Sequence, residues 1–157
     1  MTPHSHRPEP FVRTFHARWG DMDNNGHMRN TAFLDVAGDV RMMFFALHGF
    51  AMSEFARLGI GPVIQHDELD YARELRLLES YDVDLTLAGL SEDGARFRMR
   101  NTFSKADGKH VATVTSSGGW LDLTARRLLP PPPPLAHAMA AIPRAHDFVH
   151  MTGLPAR

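Results

Sequence analysis

The sequence contains no cysteine among its 157 residues. This absence excludes disulfide bonds, catalysis by a thiolate and metal sites with cysteine ligands. No apolar run approaches the roughly 20 residues that a membrane-spanning helix needs. Residues 1–10 are polar and rich in proline, and they lack the apolar segment of a secretory signal peptide. We therefore expect a cytoplasmic protein with no membrane segment.

Neither sign of charge is in excess. The chain has 17 Lys and Arg residues against 18 Asp and Glu, which gives a net charge of -1. A chain so close to neutral lacks the basic excess that attracts nucleic acids or anionic membranes. Its 43% of hydrophobic and 22% of charged residues are ordinary for a globular domain. We expect one domain of this length, with no nucleic-acid partner and no membrane partner.

The order of secondary-structure signals predicts an α+β fold. Alternation of apolar and polar residues with a period of two is typical of strands. It occurs at 11–19, 63–78, 81–88, 95–104 and 109–123. The later strands are joined by glycine-containing segments, 91–94 and 105–108, that have the composition of tight hairpin turns. We therefore predict an antiparallel sheet with one apolar face and a kink or bulge early in the segment 63–78.

One long helix is predicted at residues 31–48, and a short helix at 53–59. Apolar side chains recur at helical spacing along the long helix, at Phe33, Val36, Ala37, Val40, Phe44 and Leu47. Asn30 has the side chain of a good N-cap, and Gly49 stands where a left-handed C-cap is expected. The polar loop 19–30 therefore leads into a helix N-terminus, whose free amides favour an oxyanion or a polarised carbonyl.

Three segments follow from this pattern. Residues 1–10 are predicted to be a flexible tail, in which His4 and His6 form an incidental pair rather than a metal site. Residues 11–129 form the folded domain. Residues 130–157 comprise a stiff proline-rich spacer, a short helix at 135–142 and a C-terminal tail for which no regular element is predicted.

Residues 19–35 have the sequence pattern W-x-D-M-D-x-x-G-H-x-x-N-x-x-F-L-D. It closely resembles the signature of the hotdog-fold acyl-CoA thioesterases of the 4-hydroxybenzoyl-CoA thioesterase type. Weaker similarities to that family occur at 61–63, 71–73 and 126–127, so that the resemblance spans about residues 11–142. It implies a hotdog fold, in which a curved antiparallel sheet wraps around one long central helix. It also implies an acyl-CoA substrate and a homodimer or homotetramer with sites at the subunit interface.

The resemblance assigns roles to individual residues. Asp23 takes the place of the catalytic carboxylate, which acts as a general base or as a nucleophile. Gly26 and His27 match the residues that follow it, and the amides of 26–28 would polarise the thioester carbonyl. The substrate-binding residues would be Met28, Asn30, Phe33 and Tyr71. No metal is implied, and no cofactor other than the coenzyme A of the substrate.

Several alternatives remain open at this stage. By spacing alone, Asp21, Asp23, Asn24 and Asn25 suit turn formation in a solvated loop better than catalysis. His27 suits a structural role and a catalytic role equally. Tyr71 suits plain sheet packing as well as an acyl pocket. Some hotdog thioesterases use a carboxylate on the central helix, which makes Asp35 and Asp39 the reserve carboxylates.

Two further features of the chain bear on its function. Gly38 lies inside the long helix, where glycine costs roughly 1 kcal/mol relative to alanine, so we expect it to permit close approach of the sheet or of a ligand. Arg96, Arg98 and Arg100 form a basic row that suits either the phosphates of coenzyme A or a solvated sheet face. A non-catalytic acyl-CoA-binding hotdog domain and a hotdog dehydratase are the alternative functions.

Overall fold

A computed structural model describes residues 7–156, so the expected tail pair of His4 and His6 lies outside the described residues. Its elements are β1 (Phe11–His16), a 3-10 turn (Trp19–Asp21), α1 (Asn30–Leu47), α2 (Met52–Leu58), β2 (Ile60–Tyr71), β3 (Ser80–Ser91), β4 (Arg96–Lys105), β5 (His110–Asp122), β6 (Arg127–Leu128), α3 (Pro133–Ala140) and β7 (Arg144–Met151). None of the helices among these residues has the length and apolar character required to cross a membrane.

The strands form one sheet in the order β1-β3-β4-β5-β2, in which all neighbours are antiparallel. The short strand β6 also pairs with β5, and β7 pairs with β3 in parallel. β1 covers the first half of β3 and β7 covers the second half, so these two strands share one edge. Within residues 7–156 the opposite edge is β2, which pairs only with β5.

The core lies between α1 and the sheet. The inward face of α1 is buried at Phe33, Val36, Ala37, Val40 and Phe44, as the helical spacing predicts. These side chains meet buried residues of β3, β4 and β5, and each large one contributes about 1.5–3 kcal/mol. Leu47 is the exception at 67% exposure, because the chain turns at Gly49 (φ +89°) and Phe50 enters the core instead. The predicted α+β architecture, a curved antiparallel sheet around one long helix, is confirmed.

The helix α1 begins one residue earlier than predicted. Its N-cap is Arg29, with φ -65° and ψ 150° and no side-chain cap, so Asn30 is the first helical residue. The reason is tertiary, since the amide of Arg29 donates to the carbonyl of Asp21 at 2.7 Å and holds Arg29 extended. The short helix α2 ends at Leu58 and is capped by Gly59 with φ +66°, as the glycine predicts.

The strand β2 ends at Tyr71 and does not continue to residue 78. The amides of Ala72 and Arg73 both donate to the carbonyl of Val111, at 2.7 and 3.0 Å, which turns the chain off the sheet. The segment 72–79 then folds back so that the carbonyl of Leu75 accepts from the amide of Met28 at 2.8 Å. The expected irregularity occurs as a bulge between Ile64 and His66. This early end brings residues 71–76 beside the loop that precedes α1.

The C-terminal segment is more regular than the sequence analysis indicated. β7 lies in the part predicted to be a tail, and its burial does not alternate with a period of two. It is therefore a strand because of its pairing with β3 rather than because of a local pattern. The helix α3 begins two residues early, since proline is well suited to the first turn of a helix.

Gly38 and Gly118 differ in the space available for a side chain. A Cβ atom built on Gly38 meets nothing within 4 Å, so the expected close approach of the sheet does not occur. A Cβ atom on Gly118 would lie 1.8 Å from the carbonyl oxygen of Val63, at the bulge of β2. Gly118 is therefore required by the approach of two backbones, whereas the half-buried Gly38 leaves space on the helix that alanine can occupy.

We predict that Gly118→Ala destabilises the protein by about 1–3 kcal/mol, because the β2 backbone must move to admit the methyl group. Gly38→Ala is the matched substitution and should stabilise the protein by up to about 1 kcal/mol. Urea unfolding of both variants and the wild type measures these changes. Equal midpoints for Gly118→Ala and the wild type would contradict the packing described for β2.

Candidate active site

Six of the residues predicted for the site line one open cavity of about 300 Å³. One wall is the loop before α1 together with the first turn of that helix. The other wall is the end of β2 and the residues after it. The lining residues are Asp23, His27, Met28, Asn30, Phe33, Tyr71, Ala72, Arg73 and Glu74. The loop therefore meets the strand end here, although the two segments are more than 40 residues apart in sequence.

The first aspartate of the D-M-D motif holds the loop in place. Asp21 is only 3% exposed, and its carboxylate accepts from the backbone amide and the guanidinium of Arg18 at 3.1–3.2 Å. Burial alone would raise the pKa of Asp21, but the hydrogen bonds and the charge of Arg18 outweigh it and hold this pKa below its usual range. Asp21 thus stabilises the entrance to α1 and does not line the cavity.

The second aspartate, Asp23, lines the cavity and closes a tight turn. Its Oδ1 accepts from the amides of Asn25 and His27 at 2.9 and 3.3 Å. The turn is completed by Gly26, whose φ of +78° suits glycine. Within residues 7–156, no hydrogen bond to Oδ2 is formed. One carboxylate oxygen is therefore held in place and the other is available for chemistry.

The amides near this turn differ from expectation. Those of Gly26, His27 and Met28, which the sequence analysis assigned to a carbonyl, already donate to acceptors within the chain. The amides of Asn30 and Thr31 have no acceptor in the described part of the chain, as is usual in the first turn of a helix. Both amides lie at the N-terminal end of α1, which carries the positive end of the helix dipole. The first turn of α1 is therefore the place where this structure offers free donors to an oxyanion.

Aromatic side chains form the apolar floor of the cavity. Tyr71 packs edge-to-face on Phe33 with a centroid distance of 5.4 Å, and Phe33 packs on Phe103 at 5.2 Å. The hydroxyl of Tyr71 donates to the carbonyl of Asn30 at 3.0 Å, and burial raises the pKa of this hydroxyl. The two alternatives for Tyr71 are thus compatible, since it packs on the core and lines the cavity.

His27 is paired with a residue that the sequence analysis missed. Its Nε2 atom lies 2.9 Å from Oε2 of Glu74, with the His27 side chain 29% exposed. Glu74 was not assigned to the site, because it falls within a strand that was predicted to continue to residue 78. A strand that ends at Tyr71, as it does here, would have placed Glu74 beside the loop.

The reserve carboxylates do not line this cavity. The side chain of Asp35 is 73% exposed and lies 3.7 Å from the guanidinium of Arg29, and Asp39 is also exposed. Both residues lie on the face of α1 opposite its buried stripe. Within residues 7–156, no cluster of three or more His, Asp or Glu side chains is arranged to hold a metal ion.

A second cavity, of about 510 Å³, lies on the outer face of the sheet and contains part of the predicted basic row. Arg98 and Arg100 line it, but Glu68 and Asp70 lie in the same wall. The guanidinium of Arg100 also pairs with Asp147 at 2.7 Å. Because opposite charges are balanced here, this face has the character of a solvated sheet surface rather than of a phosphate site.

Comparisons with known proteins agree with this fold. A model of the thioesterase-like superfamily matches residues 17–139 of the chain. No curated protein matches the sequence.

Several solved structures share the fold at low sequence identity. A hypothetical protein from Staphylococcus aureus, solved in complex with CoA, has a TM-score of 0.78 and 22% identity, with 95% of this chain and 98% of that chain covered. A 1,4-dihydroxy-2-naphthoyl-CoA thioesterase from Synechocystis has a TM-score of 0.75 and 17% identity, with 83% and 96% covered. A probable thioesterase from Escherichia coli has a TM-score of 0.72 and 16% identity, with 84% and 98% covered. These likenesses confirm the predicted fold.

We predict that the stability conferred by Asp21 depends on pH. A carboxylate whose pKa is lower in the folded than in the unfolded state stabilises the fold above the unfolded value, about 3.9 for Asp. This contribution disappears as the pH falls through the lower, folded value. Urea unfolding should therefore show Asp21→Asn less stable than the wild type at pH 7, with the difference shrinking in acid. A difference that stays constant down to pH 3 would contradict this assignment.

Proposed function

We propose that this chain, which belongs to the thioesterase-like superfamily, hydrolyses acyl-CoA thioesters to a free acid and coenzyme A. The family assignment confirms the resemblance of residues 19–35. The observation that carries the proposal is the cavity that is lined both by Asp23 and by Asn30, the first residue of α1. That arrangement combines a carboxylate with donors for a polarised carbonyl, which are the two groups that thioester hydrolysis requires.

The thioester carbonyl is oriented by the first turn of α1. Its oxygen accepts from the amides of Asn30 and Thr31, and the positive end of the helix stabilises the negative charge that develops on it. Loss of a single donor of this kind typically costs about 10²–10³-fold in turnover. Because Arg29 is fixed by Asp21, these amides are pre-oriented before the substrate arrives.

Asp23 supplies the reacting carboxylate, and two routes fit its geometry. In one, Oδ2 attacks the carbonyl carbon, the C–S bond breaks with the electron pair leaving on the coenzyme A thiolate, and water then hydrolyses the mixed anhydride. In the other, Oδ2 takes a proton from a water molecule whose oxygen attacks the carbonyl carbon, and the thiolate leaves afterwards. Both routes use the carboxylate oxygen that the turn leaves unbonded, while Oδ1 remains anchored by two amides.

The acyl group lies on the aromatic floor. Phe33 is 2% exposed and Met28 is 5% exposed, so they present a fixed apolar surface next to the reacting carbon. Tyr71 closes this surface on the side of β2. The coenzyme A part extends through the open mouth of the cavity. The CoA complex of the Staphylococcus aureus protein, at 22% identity, supports a ligand of this class.

We predict that Asp23→Asn lowers turnover about 10²–10⁴-fold, the range for loss of a general base, and by more if Asp23 is the nucleophile. A panel of acyl-CoA esters with a free-thiol assay measures the effect. Because Asn retains the size and much of the hydrogen bonding, the variant should fold normally. Binding of acyl-CoA without turnover by the wild type would instead favour the non-catalytic alternative.

Asp35→Asn and Asp39→Asn are the matched controls on α1. They make the same chemical change at exposed carboxylates that do not line the cavity, so both should retain near-normal turnover. If either abolishes hydrolysis while Asp23→Asn leaves it intact, the reacting carboxylate lies on the helix.

We also propose that the protein assembles through the free edge of β2. This strand is 12 residues long, and a long unpaired edge is a template for pairing with another chain. Two large side chains of this strand, Ile64 and Tyr71, are 39% and 49% exposed. Tyr71 also lines the cavity, so a second copy paired with β2 would enclose the site on its open side.

A homodimer or a homotetramer is therefore the expected state at micromolar concentration, measured by light scattering. Hydrogen exchange provides the second measurement, because pairing of β2 with its copy should protect amides within 60–71 that the single chain leaves exposed. A monomer with fast exchange along the outer edge of β2 would contradict the proposed assembly.

A further inference from the structure

Glu74 is held beside the loop before α1 by backbone pairing. The carbonyl of Leu75 accepts from the amide of Met28 at 2.8 Å, and His27 forms an antiparallel bridge with Arg76. These two contacts fix the segment that carries Glu74 against the segment that carries Asp23. The backbone position of Glu74 is therefore set by the fold, and its side chain, which is 62% exposed, reaches His27 from there.

The contact between Glu74 and His27 determines which ring nitrogen carries a proton. Oε2 of Glu74 lies 2.9 Å from Nε2 of His27, and an ionised carboxylate can only accept hydrogen bonds. The Nε2 atom must therefore be the donor. In the neutral ring this leaves Nδ1 as the unprotonated nitrogen, which can accept a proton or a hydrogen bond.

Two hydrogen bonds connect the backbone of His27 to Asp23. The amide of Asp23 donates to the carbonyl of His27 at 2.9 Å, and the amide of His27 donates to Oδ1 of Asp23 at 3.3 Å. A restraint on His27 is consequently also a restraint on the carboxylate of Asp23. Glu74 is the side chain that connects this turn to the opposite wall of the cavity.

We propose that Glu74 is a positioning residue for hydrolysis at this site. It fixes the ring of His27 with the proton on Nε2, which leaves Nδ1 as the basic atom and holds the Asp23 turn in its reactive arrangement. A carboxylate that accepts from one imidazole nitrogen both orients the ring and favours a proton on the other nitrogen during reaction. This inference rests on the proposed thioesterase activity.

The kinetic test uses Glu74→Ala, Glu74→Gln and His27→Ala in the full chain. Loss of a charge-assisted hydrogen bond should lower kcat about 10–100-fold in Glu74→Ala. A residue that acts by positioning His27 should change KM much less than kcat. Glu74→Gln keeps an oxygen acceptor and should recover part of the loss. Glu92→Ala removes an exposed carboxylate in the β3–β4 turn and should leave turnover unchanged.

A double variant separates positioning from a general structural effect. If Glu74 acts through His27, then Glu74→Ala should have no further effect on kcat in the His27→Ala background. Additive losses would overturn the inference. An unchanged kcat in Glu74→Ala, with an active wild type, would overturn it as well and leave the proposed activity intact.

NMR of ¹⁵N-labelled histidine provides a readout that does not require turnover. The His27 ring should be in the Nε2–H form in the wild type and in Glu74→Gln, and should become a mixture of tautomers in Glu74→Ala. The same tautomer in all three proteins would overturn the inference. A wild type that hydrolyses no acyl-CoA ester would overturn the proposed function itself, and with it any positioning role of Glu74 in hydrolysis.

Discussion

The burial of one face of α1 against the antiparallel sheet is the constraint on which the site depends. Phe33 belongs to both, since it is a core residue of the helix and also the floor of the cavity. Its contacts with Phe103 and Tyr71 fix the first turn of α1 relative to β4 and to the end of β2. A shift of the helix along the sheet would therefore displace the free amides and the aromatic floor together.

A polar contact inside the core restricts that shift. Arg41 is 7% exposed, and its Nε donates to Oδ1 of Asn101 at 2.8 Å. Asn101 in turn donates to the carbonyl of Asp84 at 2.8 Å, which links α1 to β4 and β3. Burial lowers the pKa of Arg41 to about 10. This contact adds to the apolar packing, because a hydrogen bond is directional and this one forms in a single register of α1 on the sheet.

The sequence predicts well where structure is local. The alternation along β3, β4 and β5 and the glycine turns between them specify the meander without reference to distant residues, and the spacing of Phe33 to Phe44 specifies α1. The failures at the end of β2, at the start of α1 and at β7 are non-local, whereas the early start of α3 is a local effect of its prolines. The end of β2 depends on the carbonyl of Val111, the cap at Arg29 depends on Asp21, and β7 depends on pairing with β3. Glu74 was missed for the same reason, because its place in the site follows from where β2 ends.

The two aspartates of the D-M-D motif have different surroundings within one loop, since Asp21 is buried and Asp23 lines the cavity. The carboxylate of Asp21 accepts three hydrogen bonds from Arg18. These bonds offset the cost of burying the negative charge of Asp21. Because Asp21 also anchors Arg29, the first turn of α1 is in place without any contribution from Asp23. Asp23 lines the cavity with one oxygen anchored by two amides, and its other oxygen has no hydrogen bond within residues 7–156. Asp35 and Asp39 lie on the face of α1 opposite its buried stripe, whereas Asp23 lines the cavity together with Asn30, the first residue of that helix.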